Sequence, residues 1–135
     1  MRIARTLYDR MVAHARAEAP NECCGVVATN GDGSAQRVFP ATNKHASPLR
    51  FEIEGLDLLR INNEIDDAGL EIGAIYHSHT RTAPEPSQTD INGAAQWPGA
   101  LWIIVGLATD DEADVRTWAI DDGRVTQVEL VVEEI

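Results

Sequence analysis

Ile72-Gly73-Ala74-Ile75-Tyr76-His77-Ser78-His79 is a hydrophobic run that ends in two histidines; seven residues later comes Ser87, then two more residues and Asp90. The run reads as a buried strand. Histidines at i and i+2 of a strand point to the same face, with Cα atoms roughly 6.6 Å apart. That separation lets two imidazoles converge on one ion at the Zn–N distance of about 2.0–2.1 Å. Pro84-Glu85-Pro86 favours a turn, which would bring Asp90 back as a third, oxygen ligand. Three protein ligands of the types His, His and Asp leave a fourth position for water, the pattern of a catalytic rather than a structural zinc site.

Outward from this stretch, the chain reads as strands in runs with helices between them. Residues 5–19 form an amphipathic helix, with Leu7, Met11 and Ala15 on one side and Val12 beside them, ended by Pro20-Asn21. Cys23–Thr29 is a short apolar run, expected as a central strand. Asn30-Gly31-Asp32-Gly33 is a turn signal, and 36–40 returns as the second arm of a hairpin. Residues 41–48 are a polar connection, and Arg50–Ile53 alternates as a short strand. Leu58, Ile61 and Ile65 mark a helix from Gly55 to Ala68, closed by Gly69. A short helix is expected over 87–97, stopped before Pro98, followed by strands at 101–107, 115–120 and 125–132. The fold class expected is mixed α/β of the α+β type: a single mixed sheet flanked by helices. There is no regular βαβ alternation and no glycine-rich phosphate loop.

At 135 residues, residues 1–135 are expected to form one domain, and the 44% apolar fraction suits a normal core. A net charge of −11 makes nucleic acid and anionic membrane surfaces poor partners. No basic-then-apolar start marks a signal peptide, and no run approaches the roughly 18–20 apolar residues of a membrane span. Cys23 and Cys24 are adjacent, so neither a disulfide framework nor a Cys-x-x-Cys zinc pair is implied. A reducing, cytoplasmic setting is expected.

Each candidate has a plainer reading. His77 and His79 could simply end a strand; their pairing with a nearby carboxylate favours a metal. Ser87-x-x-Asp90 is also a capping-box arrangement at a helix start, and a capped start is a rigid place to hold a ligand. A carboxylate must take the proton of the attacking water. Glu22, Glu52, Glu71 and Glu85 are equal candidates on local evidence. Cys24, within an apolar run, reads as an inert buried thiol. His14 reads as structural, His45 as a surface residue, and Trp97, Trp102 and Trp118 as packing.

Taken together, His77-x-His79, seven residues, Ser87, two residues and Asp90 resemble the motif of the JAMM metalloproteases, also called MPN-plus or Mov34 domains. Pro20-Asn21-Glu22-Cys23-Cys24-Gly25 is similar to the family's upstream segment. Within the family, Met11–Arg16, Thr42-Asn43, Ser47-Pro48, Tyr76–Thr80 and Pro86–Asp90 resemble the small bacterial branch that acts on sulfur-carrier proteins. The resemblance implies an MPN, cytidine-deaminase-like architecture and a Zn2+ ion held by His77, His79 and Asp90. It implies Glu22 as general acid/base and Ser87 as the donor to the oxyanion. It implies as partner a ubiquitin-like sulfur-carrier protein ending in Gly-Gly, from whose adduct cysteine is released by hydrolysis. Its rivals are an isopeptidase that frees a ubiquitin-like protein from a lysine, and a non-catalytic MPN interaction module. Residues 41–50 and 80–86 would form the rims of a groove for the tail, with Thr80 and Arg81 meeting it. A homodimer is compatible with the sequence, which does not fix the oligomeric state.

Overall fold

A computed structural model describes residues 1–109 and 111–134. In chain order the elements are β1 (Arg2–Ala4), α1 (Arg5–Glu18), β2 (Cys24–Thr29), β3 (Ala35–Ala41), α2 (Gly55–Asp67), β4 (Glu71–His79), α3 (Gln88–Gly93) with a 3-10 turn at Ala94–Gln96, β5 (Leu101–Gly106), β6 (Asp114–Asp121), β7 (Arg124–Val128) and β8 (Val131–Glu133). Six strands form a mixed sheet in the order β3-β2-β4-β5-β6-β7, and β1 and β8 form a separate two-stranded sheet. Only the β4–β5 pair of the larger sheet is parallel. This is the mixed α+β architecture that the sequence predicts.

All six residues of β2 are buried, as are residues 74–79 of β4. Their runs are continuously apolar because helices cover both faces of the sheet. On one face Val26, Ile75 and Trp102 pack with Ile61 and Ile65 of α2. On the other, Val27, Ala74, Tyr76 and Ile103 pack with Met11 and Ala15 of α1. His77 and His79 have the parity of Ile75 and therefore belong to the α2 face. Among the described residues, no helix is long and apolar enough to cross a membrane.

The turn chemistry follows the sequence. Asn30 Oδ1 accepts from the N–H groups of Asp32 and Ser34 and closes the β2–β3 hairpin. Glu54 caps α2 by accepting from Leu56 N and Asp57 N. Gly69, with φ +69°, takes the left-handed position that ends the helix.

Three expectations are corrected. Arg50–Ile53 is not a strand; it touches residue Asn43 through a single bridge at Ile53. The Asn43 side chain accepts from His45 N and Glu52 N and donates to the Arg50 and Glu22 carbonyls. It occupies main-chain groups that a strand ladder would use. The expected strand 125–132 is two strands, because β8 leaves the main sheet to pair in parallel with β1. β1 went unrecognised: three residues are too few to show alternation. The helix expected over 87–97 is α-helical only to Gly93 and then tightens into the 3-10 turn.

The register of β2 against β4 sets Gly25 opposite Tyr76 and Cys24 opposite His77. A Cβ on Gly25 would overlap the Tyr76 ring. That ring is fully buried and anchored by a 2.8 Å hydrogen bond between its OH and His14 Nδ1, so it has little room to retreat. Gly25→Ala is therefore expected to destabilise the protein by about 1–3 kcal/mol in urea unfolding. Gly93→Ala, in α-helical conformation with open space at its Cβ, is expected to be neutral or stabilising.

Candidate metal centre

At the C-terminal end of β4 the chain leaves the sheet through 80–87 and returns as α3, whose third residue is Asp90. A capping box fixes this return. Ser87 Oγ accepts from Asp90 N at 3.1 Å, and Asp90 Oδ2 accepts from Ser87 N at 3.0 Å. The box turns the Asp90 carboxylate toward the two histidines. His77 Nε2 and His79 Nε2 stand 3.3 Å apart, and both lie close to Asp90 Oδ2, at 3.1 and 3.0 Å. All three residues are buried.

The three atoms make a nearly equilateral triangle. Ligands on a tetrahedral ion with bonds of about 2.0–2.1 Å stand about 3.3 Å apart, so the triangle fits one face of such a site. Tautomers agree on one side: His79 Nδ1 lies 2.9 Å from the Ala83 carbonyl oxygen. Donating there leaves the Nε2 lone pair for the site. His77 Nδ1 has no hydrogen-bond partner; its ring instead stacks on Phe51, with centroids 4.5 Å apart and planes 23° apart. The set His, His, Asp is one that zinc accepts, and nothing in its geometry disagrees with a metal.

Electrostatics separate the groups. Burial lowers the pKa of His77. Burial pulls on His79 too, but its hydrogen bonds to Asp90 and to the Ala83 carbonyl outweigh it and leave that pKa raised. Burial works to raise the pKa of Asp90, yet the hydrogen bonds from both histidines overcome it and hold the carboxyl well below the usual range. Asp90 is thus a carboxylate in the buried site.

Glu22 comes from the other side. Its backbone is tied at both ends: its N–H donates to the Ser47 carbonyl at 2.8 Å, and its carbonyl accepts from Asn43 Nδ2 at 3.1 Å. Extending the β2–β4 register by two residues sets it opposite His79. Its side chain is buried and Oε1 has no partner. Burial pushes its carboxyl up to about 8, with the charges of His79 and Asp90 acting on it in opposite directions. The other acids are elsewhere. Glu71 is exposed at the far end of β4. Glu52 is paired with Lys44 and His45, and Glu85 with Arg116.

Burial pushes Cys23 and Cys24 up to about 12, so both are unreactive thiols. The Thr80 hydroxyl donates to the Pro20 carbonyl at 3.0 Å, which commits it to holding the loop, while Arg81 is exposed. Trp102 is buried and Trp97 and Trp118 are half-buried. A cavity of about 150 Å³ opens beside Asp90, walled by Phe51, Ile53, Leu58, Thr89, Trp97 and Trp102. Phe51 was missed by sequence reasoning. So was Ser78, whose Oγ accepts from the buried Cys23 N–H at 2.8 Å and pins the start of β2 to β4.

Residues 4–121 match the family model described as prokaryotic homologs of the JAB domain. The chain belongs to the prokaryotic JAB-domain family. A CysO-cysteine peptidase of Mycobacterium tuberculosis is 35% identical to it over 133 residues, covering 98% of this chain and 90% of the relative. A desampylase of Haloferax volcanii is 33% identical over 134 residues, covering 93% of each chain. The crystal structure of a JAB1/MPN domain protein from Archaeoglobus fulgidus superposes with a TM-score of 0.66 at 21% identity, over 99% of this chain and 100% of that one. The JAB fold thus accounts for the mixed sheet and its flanking helices.

In the metal-free JAB domain, Glu22 holds its proton more tightly folded than unfolded. Its contribution to stability is present below its ordinary pKa of 4.5 and is lost as pH rises toward 8. Glu22→Gln in the presence of a chelator is expected to be more stable than the parent at pH 8, on the order of a few kcal/mol, and no more stable at pH 4. Parallel pH slopes in urea unfolding would contradict the assignment.

Proposed function

We propose that this chain is a JAMM-type zinc metallopeptidase, with residues 1–135 acting as one catalytic domain. The substrate would be a ubiquitin-like sulfur-carrier protein, cut after its C-terminal Gly-Gly so that cysteine is released from a carrier–cysteine adduct. The observation that carries the reading is the buried triangle of His77, His79 and Asp90 with the unpartnered Glu22 carboxyl beside it. The peptidase named for CysO-cysteine among its relatives supports the substrate. The reading places the enzyme in the cytoplasm.

His77 Nε2, His79 Nε2 and Asp90 Oδ2 would hold the ion. When bound, zinc supplies Lewis acidity, which polarises the scissile carbonyl and makes water acidic enough to attack near neutral pH. Glu22 takes the proton of that water on its carboxylate and hands it to the leaving amine. The Ser87 hydroxyl uses a lone pair to cap α3 and keeps its hydrogen, which it donates to the oxyanion of the tetrahedral intermediate. Water's OH ends on the carrier's glycine as a carboxyl group and its hydrogen on the amine of cysteine. Burial raises the proton affinity of Glu22 in the metal-free site; the positive charge of a bound ion would lower it again and leave the carboxylate that accepts the proton. The rims at 41–50 and 80–86 would bind the extended tail, and the first of them also ties down Glu22 through the Ser47 carbonyl and the Asn43 side chain.

A second reading, an isopeptidase acting on a lysine conjugate, draws on the desampylase relative. Assaying a carrier–cysteine adduct and a carrier–lysine conjugate side by side decides between the two. The expected result is loss of the mass of cysteine from the adduct by mass spectrometry, abolished by a chelator. Glu22→Ala is expected to keep zinc and lose about 10²–10⁴-fold in turnover. Ser87→Ala is expected to lose about 10²–10³-fold. Undiminished hydrolysis by the Glu22 variant would overturn the mechanism, whereas loss of hydrolysis with zinc retained excludes the non-catalytic interaction module.

A further inference from the structure

His77 differs from His79 in how it is held. A metal-binding imidazole ordinarily donates its second ring nitrogen to a carbonyl, a carboxylate or water, which sets both tautomer and ring orientation. His79 has that bond, through Nδ1 and the Ala83 carbonyl at 2.9 Å. His77 is fully buried and its Nδ1 has no such partner. What the ring does have is a face. Phe51 lies against it at 4.5 Å between centroids, with planes only 23° apart, and Trp102 meets it edge-on at 6.4 Å and 75°. The strand behind it offers the small side of Cys24, its cross-strand neighbour. Phe51 is supplied by the irregular segment after Asn43, whose backbone is fixed by that side chain.

We infer that Phe51 is a positioning residue for the metal centre: its ring, stacked on His77, fixes the imidazole orientation that a hydrogen bond fixes for His79. The inference rests on the reading of the His77, His79 and Asp90 triangle as a metal site. Stacking limits rotation about the Cβ–Cγ bond, because turning the imidazole out of the parallel arrangement drives its edge into the phenyl face. Nδ1 is itself buried without a partner, so the tautomer with Nε2 free for the ion is set by what Nε2 meets rather than by an outer partner. Removing the ring frees that rotation. The ligand atom then samples positions away from the triangle, and the affinity for the ion falls.

The test uses the full chain with Phe51→Ala, Phe51→Leu and Phe51→Tyr. Zinc affinity is read by competition with a chromophoric chelator, the ligand field from the visible spectrum of the cobalt(II) form, and folding from thermal unfolding of the metal-free proteins. Phe51→Ala is expected to bind zinc about 10–100-fold more weakly, the range for loss of an outer partner of a metal ligand, with an altered cobalt spectrum. Phe51→Leu, which keeps bulk and loses the ring, is expected to follow it. Phe51→Tyr, which keeps the ring, is expected to match the parent in affinity and spectrum. Parent-like affinity and spectrum in Phe51→Leu would overturn the inference, whether or not Phe51→Ala folds. A parent protein that binds no zinc would instead overturn the metal reading beneath it.

Discussion

The pairing of β2 with β4 is the constraint on which the rest of the site depends. Its register sets Cys24 opposite His77 and, two residues on, Glu22 beside His79. Strand side chains alternate with a period of two, so a slip of one residue would send the outward-facing set to the opposite face. Two local devices hold the register. The buried Cys23 N–H donates to Ser78 Oγ, and Gly25 admits the Tyr76 ring across from it. Ser78 therefore serves the motif from the far side of the strand: it joins the two strands while its neighbours His77 and His79 face the Asp90 carboxylate.

Charge is distributed around that frame by unequal compensation of desolvation. Asp90 is buried yet strongly ionised, because two imidazoles and the Ser87 N–H stabilise its anion. Glu22 is buried with an oxygen that meets nothing, and in the metal-free site burial pushes its carboxyl up to about 8. Two buried carboxyl groups in one site thus differ in proton affinity because Asp90 has hydrogen bonds and imidazole charge to offset its desolvation and Glu22 has no hydrogen bond to do so. The first suits a ligand and the second suits a group that moves a proton, which is why the proposed division of labour follows from the environment and not from residue type.

What could be read from the sequence is what local spacing encodes. The His-x-His parity, the capped return at Ser87 and Asp90, the β2–β3 hairpin and both long helices all depend on neighbours a few residues apart. What could not be read depends on partners far along the chain. Glu22 looks like Glu52, Glu71 or Glu85 until β2 is laid against β4; only the family resemblance singled it out beforehand. Phe51 has no local signal, since its stack on His77 joins residues 26 apart in a segment without regular structure. The strand expected at Arg50–Ile53 failed because alternation there is real but Asn43 takes up the backbone groups. β1 and β8 are each three residues long and exist through their mutual pairing, which no single window contains.

The most direct test of the metal centre is anomalous diffraction at the zinc absorption edge, from crystals of the full chain grown with zinc. A single strong peak is expected about 2.0–2.1 Å from His77 Nε2, His79 Nε2 and Asp90 Oδ2 together, with Glu22 on the open side. A peak bound by other residues, or none at the triangle under saturating zinc, would contradict it.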